Sequence, residues 1–153
     1  MFVWTVESNL NDKKAPPGKG RENMKLFLNT VFVTKHKERV PIMFYKIGNQ
    51  PFEVDIHVQL VDVEINKTHT IHVKVTNKYT KENIFEGDQS FNMEKEGKKP
   101  EGYENVNTGI AELGIPLSMN PDEIKGVNTL NIEVTIEGNK QTIQLFLAGD
   151  VNG

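Results

Sequence analysis

Four histidines, His36, His57, His69 and His72, together with Ser90 and Ser118, are the residues that first invite a chemical reading. Two neutral imidazoles and a carboxylate hold zinc when their spacing brings them to one side, as in H-x-H or H-E-x-x-H. Neither spacing occurs, and His69 and His72, three residues apart on an extended segment, point to opposite faces. A hairpin turning at Asn66-Lys67 sets His72 across from Val61 and His57 across from Thr76. At the usual strand rise that separates the two rings by about 13 Å, too far to share a metal.

Acyl transfer fares no better. Asp55, His57 and either Ser90 or Ser118 spell a triad, yet no Gly-x-Ser-x-Gly elbow frames either serine. The pairs Asp62/Glu64 and Asp122/Glu123 lack the D-x-[DN]-x-[DN]-G calcium loop. Pro17-Gly18-Lys19-Gly20 lacks the G-x-x-x-x-G-K-[ST] frame of a phosphate loop, so nucleotide binding is not expected. Asn66-Lys67-Thr68 matches a glycosylation acceptor and reads more simply as a hairpin turn. Cysteine is absent, which removes disulfides, thiolate metal sites and thiol nucleophiles. The expectation is a chain with no catalytic residues, metal or cofactor.

The elements that would position any site are strands. Alternating apolar and polar residues rich in Val, Ile, Thr and Phe recur between Gly, Asn, Asp and Pro, and no long stretch has helical period. Residues 2–6 open as a strand; residues 8–23 and 94–108 read as long polar loops. Leu26, Leu28, Thr30 and Phe32 alternate with Phe27, Asn29, Val31 and Val33, which predicts a central strand buried on both faces. Phe52, Val54, Ile56, Val58 and Leu60 share one parity, and then Val61, Val63 and Ile65 take the other. That flip requires either a β-bulge near Leu60-Val61 or burial of the opposite face at a hairpin tip. In the second case Val61, Val63 and Ile65 form an apolar patch beside His72 that needs a cover.

Further on, Gly87 and Asp88 suggest a bulge or break after Ile84-Phe85-Glu86, and Pro116 places residues 109–119 at an edge or bulge. Residues 120–126 suit one short helical turn, and a closing hairpin over 130–147 turns at Gly138-Asn139. About nine strands in 153 residues, in one domain, predict an antiparallel β-sandwich, with a small β-barrel as the alternative.

Net charge is −3, which disfavours a whole-molecule polyanion binder. The charge is uneven: residues 13–39 hold eight basic side chains, Lys13, Lys14, Lys19, Arg21, Lys25, Lys35, Lys37 and Arg39, against Glu22 and Glu38. Such a run is either a solvated loop region or a docking patch for an acidic partner. No apolar run is long enough to span a bilayer, and residues 1–10 lack a signal-peptide pattern, so a cytoplasmic location is expected. Trp4, Tyr45, Tyr79 and Tyr103 are spread over distant segments and do not form an obvious sugar-stacking platform.

The order Asn29-Thr30-Val31-Phe32, Val40-Pro41-Ile42-Met43-Phe44, Thr68-His69-Thr70-Ile71-His72-Val73 and then Gly126 before a closing hairpin resembles small, uncharacterised immunoglobulin-like β-sandwich proteins of low-GC Gram-positive bacteria and their phages. The abundance of Asn, Ile and Lys, with only two arginines, has the same AT-rich flavour. The resemblance covers residues 24–149 and implies a fold, with a virion association as one setting; it brings no site residues. The functional expectation is a non-enzymatic interaction or assembly module that binds a protein partner or itself. Glycan or cell-wall binding, and nucleic-acid contact through residues 13–39, are the alternatives.

Overall fold

A computed structural model describes residues 25–93 and 108–149. The strand expected at 2–6, the loop at 8–23 and most of the loop at 94–108 lie outside the described residues. Eight strands follow in order: β1 (Phe27–Lys35), β2 (Phe44–Lys46), β3 (Phe52–Glu64), β4 (Thr68–Asn77), β5 (Asn83–Asn92), β6 (Thr108–Met119), β7 (Thr129–Ile136) and β8 (Asn139–Ala148). One 3-10 turn, Pro121–Ile124, links β6 to β7 where a short helical turn was expected. The strands form a three-stranded sheet, β1-β3-β6, and a five-stranded sheet, β2-β8-β7-β4-β5. Every pairing is antiparallel except β2 with β8. This is the β-sandwich of the sequence reading.

The alternation dictates the core. Val54, Ile56, Val58 and Leu60 on β3 meet Ile71, Val73 and Val75 on β4 and Leu130, Ile132, Val134 and Leu145 on β7 and β8, all essentially without solvent contact. Each such Val, Leu or Ile contributes about 1.5–3 kcal/mol by leaving water.

Two bulges keep that row continuous where the sequence changes phase. On β3, Leu60 pairs with Ala111 and Val63 with Gly109, so Val61 and Asp62 together oppose a single residue of β6. Asp62 takes φ 56°, a left-handed conformation that Asp tolerates better than most residues, and Val63 returns to the core fully buried. The phase flip is therefore a bulge, and Val63 is interior. On β1, Leu28 pairs with Leu60 and Thr30 with Gln59, leaving Asn29 as the extra residue. Leu28 faces the core before it, Val31 and Val33 after it. The double apolar parity of β1 reflects this bulge rather than burial on two faces, and β1 is an edge strand, not a central one.

The turn at 65–67 does not close a hairpin. Val58 pairs with Val31 and Leu113, whereas Val73 pairs with Gly87 and Val134, so the chain crosses from one sheet to the other. β3 and β4 each carry one apolar row, and the two rows meet across the core. A shared sheet would satisfy the same alternation, which is why local pattern could not tell the two arrangements apart.

The closing hairpin of β7 and β8 is as expected but turns one residue earlier, at Glu137-Gly138, with φ 45° and 80°. Positive φ at both positions is the type I′ geometry that matches strand twist. β5 runs on through Gly87 without a break; the irregularity lies between the pairs Val75–Phe85 and Thr76–Asn83, which leaves Ile84 as the extra residue. The Phe85 ring lies over Gly87, 3.2 Å from where a Cβ would stand. β6, with Pro116, is an edge strand as predicted.

Truncating the core beside the β3 bulge tests this arrangement. Leu60→Ala is expected to cost about 2–5 kcal/mol in denaturant unfolding, and Val63→Glu to abolish the cooperative transition, because it buries an unpaired carboxylate.

Candidate functional site

The four expected interface residues do not share a surface. Val63 is enclosed, Val61 is half-buried at the bulge, Ile65 packs half-buried against the core, and His72 stands on the other sheet. Of the basic candidates, Lys13, Lys14, Lys19 and Arg21 lie outside the described residues. Lys35, Lys37 and Arg39 are exposed at the end of β1 and in the segment that follows it.

Each histidine is committed to a local network. His36 Nδ1 lies 2.8 Å from Asp55 Oδ1, and the backbone N–H of Lys37 donates to Asp55 Oδ2 at 2.9 Å, which pins the turn after β1. On the outer face of the small sheet the His57 ring stacks on Phe32, with centroids 4.7 Å apart and planes 4° from parallel. Its Nε2 is 2.8 Å from Thr34 Oγ1, and its Nδ1 is 3.8 Å from Glu112 Oε1. Hydroxyl, imidazole and carboxylate thus line up in the order of a catalytic triad. The protons run the wrong way for one. Thr34 donates its hydroxyl proton to the Lys35 carbonyl at 3.0 Å, so it accepts from His57, and it has no solvent exposure through which a substrate could reach it.

His69, 1% exposed, ties the sheets together. Its Nε2–H donates to the Glu64 carbonyl at the end of β3, 2.8 Å away, since a carbonyl only accepts. Its Nδ1 lies 2.6 Å from Glu137 Oε1 in the β7–β8 turn, and its ring packs on Phe91 at 5.2 Å between centroids. Lys67 Nζ bridges Glu64 and Glu137 at 3.6 and 3.8 Å. Asn139 Nδ2 adds a 2.9 Å bond to the Leu26 carbonyl at the same end.

His72 is clamped on the outer face of the large sheet by Asp88 at Nδ1 and by Glu86 at Nε2, the latter at 2.7 Å. The hydrogen bond to Asp88 first, and that to Glu86 second, raise the imidazole above its ordinary value of 6.5. The same His72 contact, followed by the Asn83 amide at 2.9 Å, lowers Glu86 below its ordinary 4.5. Among the described residues no group of three His, Asp or Glu side chains is placed to hold a metal ion.

A different surface stands out. Between β1 and β2 the chain runs along the sandwich edge, where Pro41 bridges Thr34 and the Ile42 N–H donates to the Val33 carbonyl at 2.8 Å. It then joins β8, with Phe44 opposite Phe146 and the Phe146 N–H donating to the Met43 carbonyl at 3.0 Å. Tyr45 turns inward against Phe52, with centroids 4.7 Å apart, so its neighbours turn outward. Met43, Phe44 and Phe146 are left 83%, 61% and 46% exposed, with Val40 at 69% in the preceding segment. Lys46, also exposed, follows Phe44 on the same face, and Lys35, Lys37 and Arg39 lead into the segment. The sequence run Ile42-Met43-Phe44-Tyr45 is apolar throughout, so its alternation carried no signal of which rings face water.

No family model matches the chain, and no curated protein does. Among solved structures it is similar to a bacterial adhesin from Mobiluncus mulieris containing intramolecular disulfide, isopeptide and ester bond cross-links, at 15% identity and TM-score 0.48. That match takes in 70% of this chain, which spans 42% of the adhesin chain. It is also similar to the CARDB domain of a Pyrococcus furiosus protein solved in complex with di-metal ions, at 12% identity and TM-score 0.43, over 82% of this chain and 94% of that one. A third is the C-terminal domain of wzt, at 8% identity and TM-score 0.44, over 82% and 75%.

Two measurements check the networks. In an NMR titration the His72 ring is expected to lose its proton above pH 6.5, and Asp88→Asn to return it toward that value. Both shifts favour the ionised cluster. Its contribution to stability is therefore full between about pH 4.5 and 6.5, fading as pH rises through the raised His72 value or falls through the lowered Glu86 value. His69→Leu, which keeps bulk but removes both hydrogen bonds, is expected to cost about 1–3 kcal/mol in chemical denaturation.

Proposed function

We propose that this chain is a non-catalytic β-sandwich module that docks a protein partner through the surface around Met43, Phe44 and Phe146. The supporting observation is the exposure of these three large apolar side chains side by side on one sheet edge. Scattered apolar residues are ordinary on a surface, whereas a contiguous cluster rimmed by polar groups is the usual mark of an interaction site. Met and Phe are also among the residues enriched at interface cores.

The rim selects the partner. Lys46 shares the outward face of β2 with Phe44, and the exposed Lys35, Lys37 and Arg39, with Glu38 among them, lie in the stretch of chain that leads to it. Two copies meeting face to face here would oppose like charges, so the fitting partner presents an apolar anchor ringed by Asp and Glu. This keeps the acidic-partner reading of the basic region but centres it on exposed apolar side chains. An apolar centre favours a protein over a phosphate backbone, and the aromatics of the patch lie beside a methionine rather than forming a flat sugar platform.

Phe44→Ser with Phe146→Ser is expected to leave stability within about 0.5 kcal/mol, because both rings are largely in water already. In a pull-down from the source cells, proteins retained by the wild type should be lost with the double variant, an effect of about 2 kcal/mol or more, roughly 30-fold in Kd. Retention should also weaken as salt rises. Identical retention by both proteins overturns the assignment.

A further inference from the structure

The outer face of the large sheet divides its charges unevenly. Toward the start of β4 its carboxylates are matched: Asp88 and Glu86 clamp His72, and Lys140 Nζ holds Glu133 at 3.2 Å. Toward the other end, where β4 finishes, Lys46 and Lys78 form no ion pair among the described residues.

The strand register brings Lys78 into line with the exposed rings. Phe44 pairs with Phe146, and Phe146 with Thr129. The Lys78 N–H then donates to the Thr129 carbonyl at 3.0 Å, one step past the pair Asn77–Leu130. Paired residues share a face, so Phe44, Phe146, Thr129 and Lys78 make one row across four strands. Strand spacing sets Phe146 and Lys78 about 10 Å apart. Thr129, short and 6% exposed, is the floor between them.

Lys78 is also held in place. Its Nζ lies over the Tyr79 ring, 5.4 Å from the centroid, and that ring is itself exposed. Beneath the pair the buried Asn77 accepts from the Tyr79 and Thr80 N–H groups at 3.0 and 3.4 Å, and its carbonyl takes the Lys81 N–H at 2.9 Å. The turn that presents both side chains is thereby fixed, so little ordering remains to oppose binding.

We propose that the docking surface runs across the large sheet from Phe44 to Lys78, and that Lys78 selects the partner: a protein segment with an apolar anchor over Phe44 and Phe146 and a carboxylate about 10 Å from it. The inference rests on the docking reading above and carries it to the far side of β7. Charge complementarity argues for it, since an acidic partner meets an ammonium that its own fold leaves unpaired. An uncharged partner covering the same row would strip water from Lys78 and return nothing, so the row discriminates against it.

The test is a titration of the full chain, followed by backbone amide shifts, with a synthetic peptide that places one phenylalanine between two pairs of aspartates, and with its asparagine counterpart. The aspartate peptide should move the amides of Phe44, Phe146 and Lys78 together and bind the more tightly, a difference that closes at high salt. Lys78→Gln, a surface change that leaves unfolding unaltered, should weaken the aspartate peptide about 3- to 5-fold and the asparagine peptide not at all. Equal loss for both peptides, no loss for either, or a wild type that takes up neither overturns the proposal. Binding that Phe44→Ser/Phe146→Ser abolishes and Lys78→Gln leaves unchanged keeps the docking surface and removes Lys78 from it. Failure of the docking reading itself shows elsewhere, as pull-down retention that the double variant does not alter.

Discussion

One constraint organises the molecule: each strand has a single apolar row, and every row must reach the same slab between the sheets. A strand that loses phase would send half its row into water, and shifting its register by one residue would only exchange one half for the other. The bulges at Asn29 and at Val61-Asp62 are the local solution, each consuming one residue so that the next Val faces inward again. They lie at the same end of the small sheet, close enough that the pair Leu28 and Leu60, which face each other in the ladder, stands between the two slips. A disturbance there changes two strands at once, because β3 is the middle strand that β1 and β6 both read for register.

The sheets need more than a shared apolar slab, since that surface alone does not fix how they sit against each other. His69 supplies the missing direction. It is buried on β4, bonds the end of β3 through one nitrogen and approaches the β7–β8 turn through the other. A satisfied buried polar group of this kind adds modest net stability but makes any other arrangement costly, because the alternatives strand its donors or acceptors. Its distance from the other histidine networks is a consequence of the sandwich. His57 and His72 stand on the outer faces of opposite sheets, with the whole core between them.

The strand content, the edge position of β6 and the closing hairpin were legible because each is written in local parity or in turn residues such as Gly138 and Pro116, whereas the parity flip at Leu60 allowed a bulge or an exposed apolar tip equally. The pairing of β3 and β4 was not. The turn at Asn66 has φ 61°, as a tight hairpin would demand, and both flanking strands alternate cleanly. Whether the chain doubles back in its own sheet or crosses to the next depends on which rows face each other over the core, and no short-range pattern records that. The same ambiguity hid the exposed rings, since a continuous apolar run such as 42–45 has no polar residue to announce which side chains the edge geometry turns outward.

The distribution of chemistry follows from these facts. Histidines and carboxylates, the residues that suggest catalysis on paper, are drawn into pinning turns and cross-strand clamps, where every imidazole has at least one nitrogen against an acceptor or donor. A group so engaged must break a bond before it can act on anything else. The apolar side chains around Met43 and Phe44 are in the opposite situation, since they stand outside the core that Tyr45, Phe52 and Leu147 join and remain in water at an energetic cost. A fold that satisfies its polar groups internally and leaves apolar ones exposed gains free energy when that surface is covered.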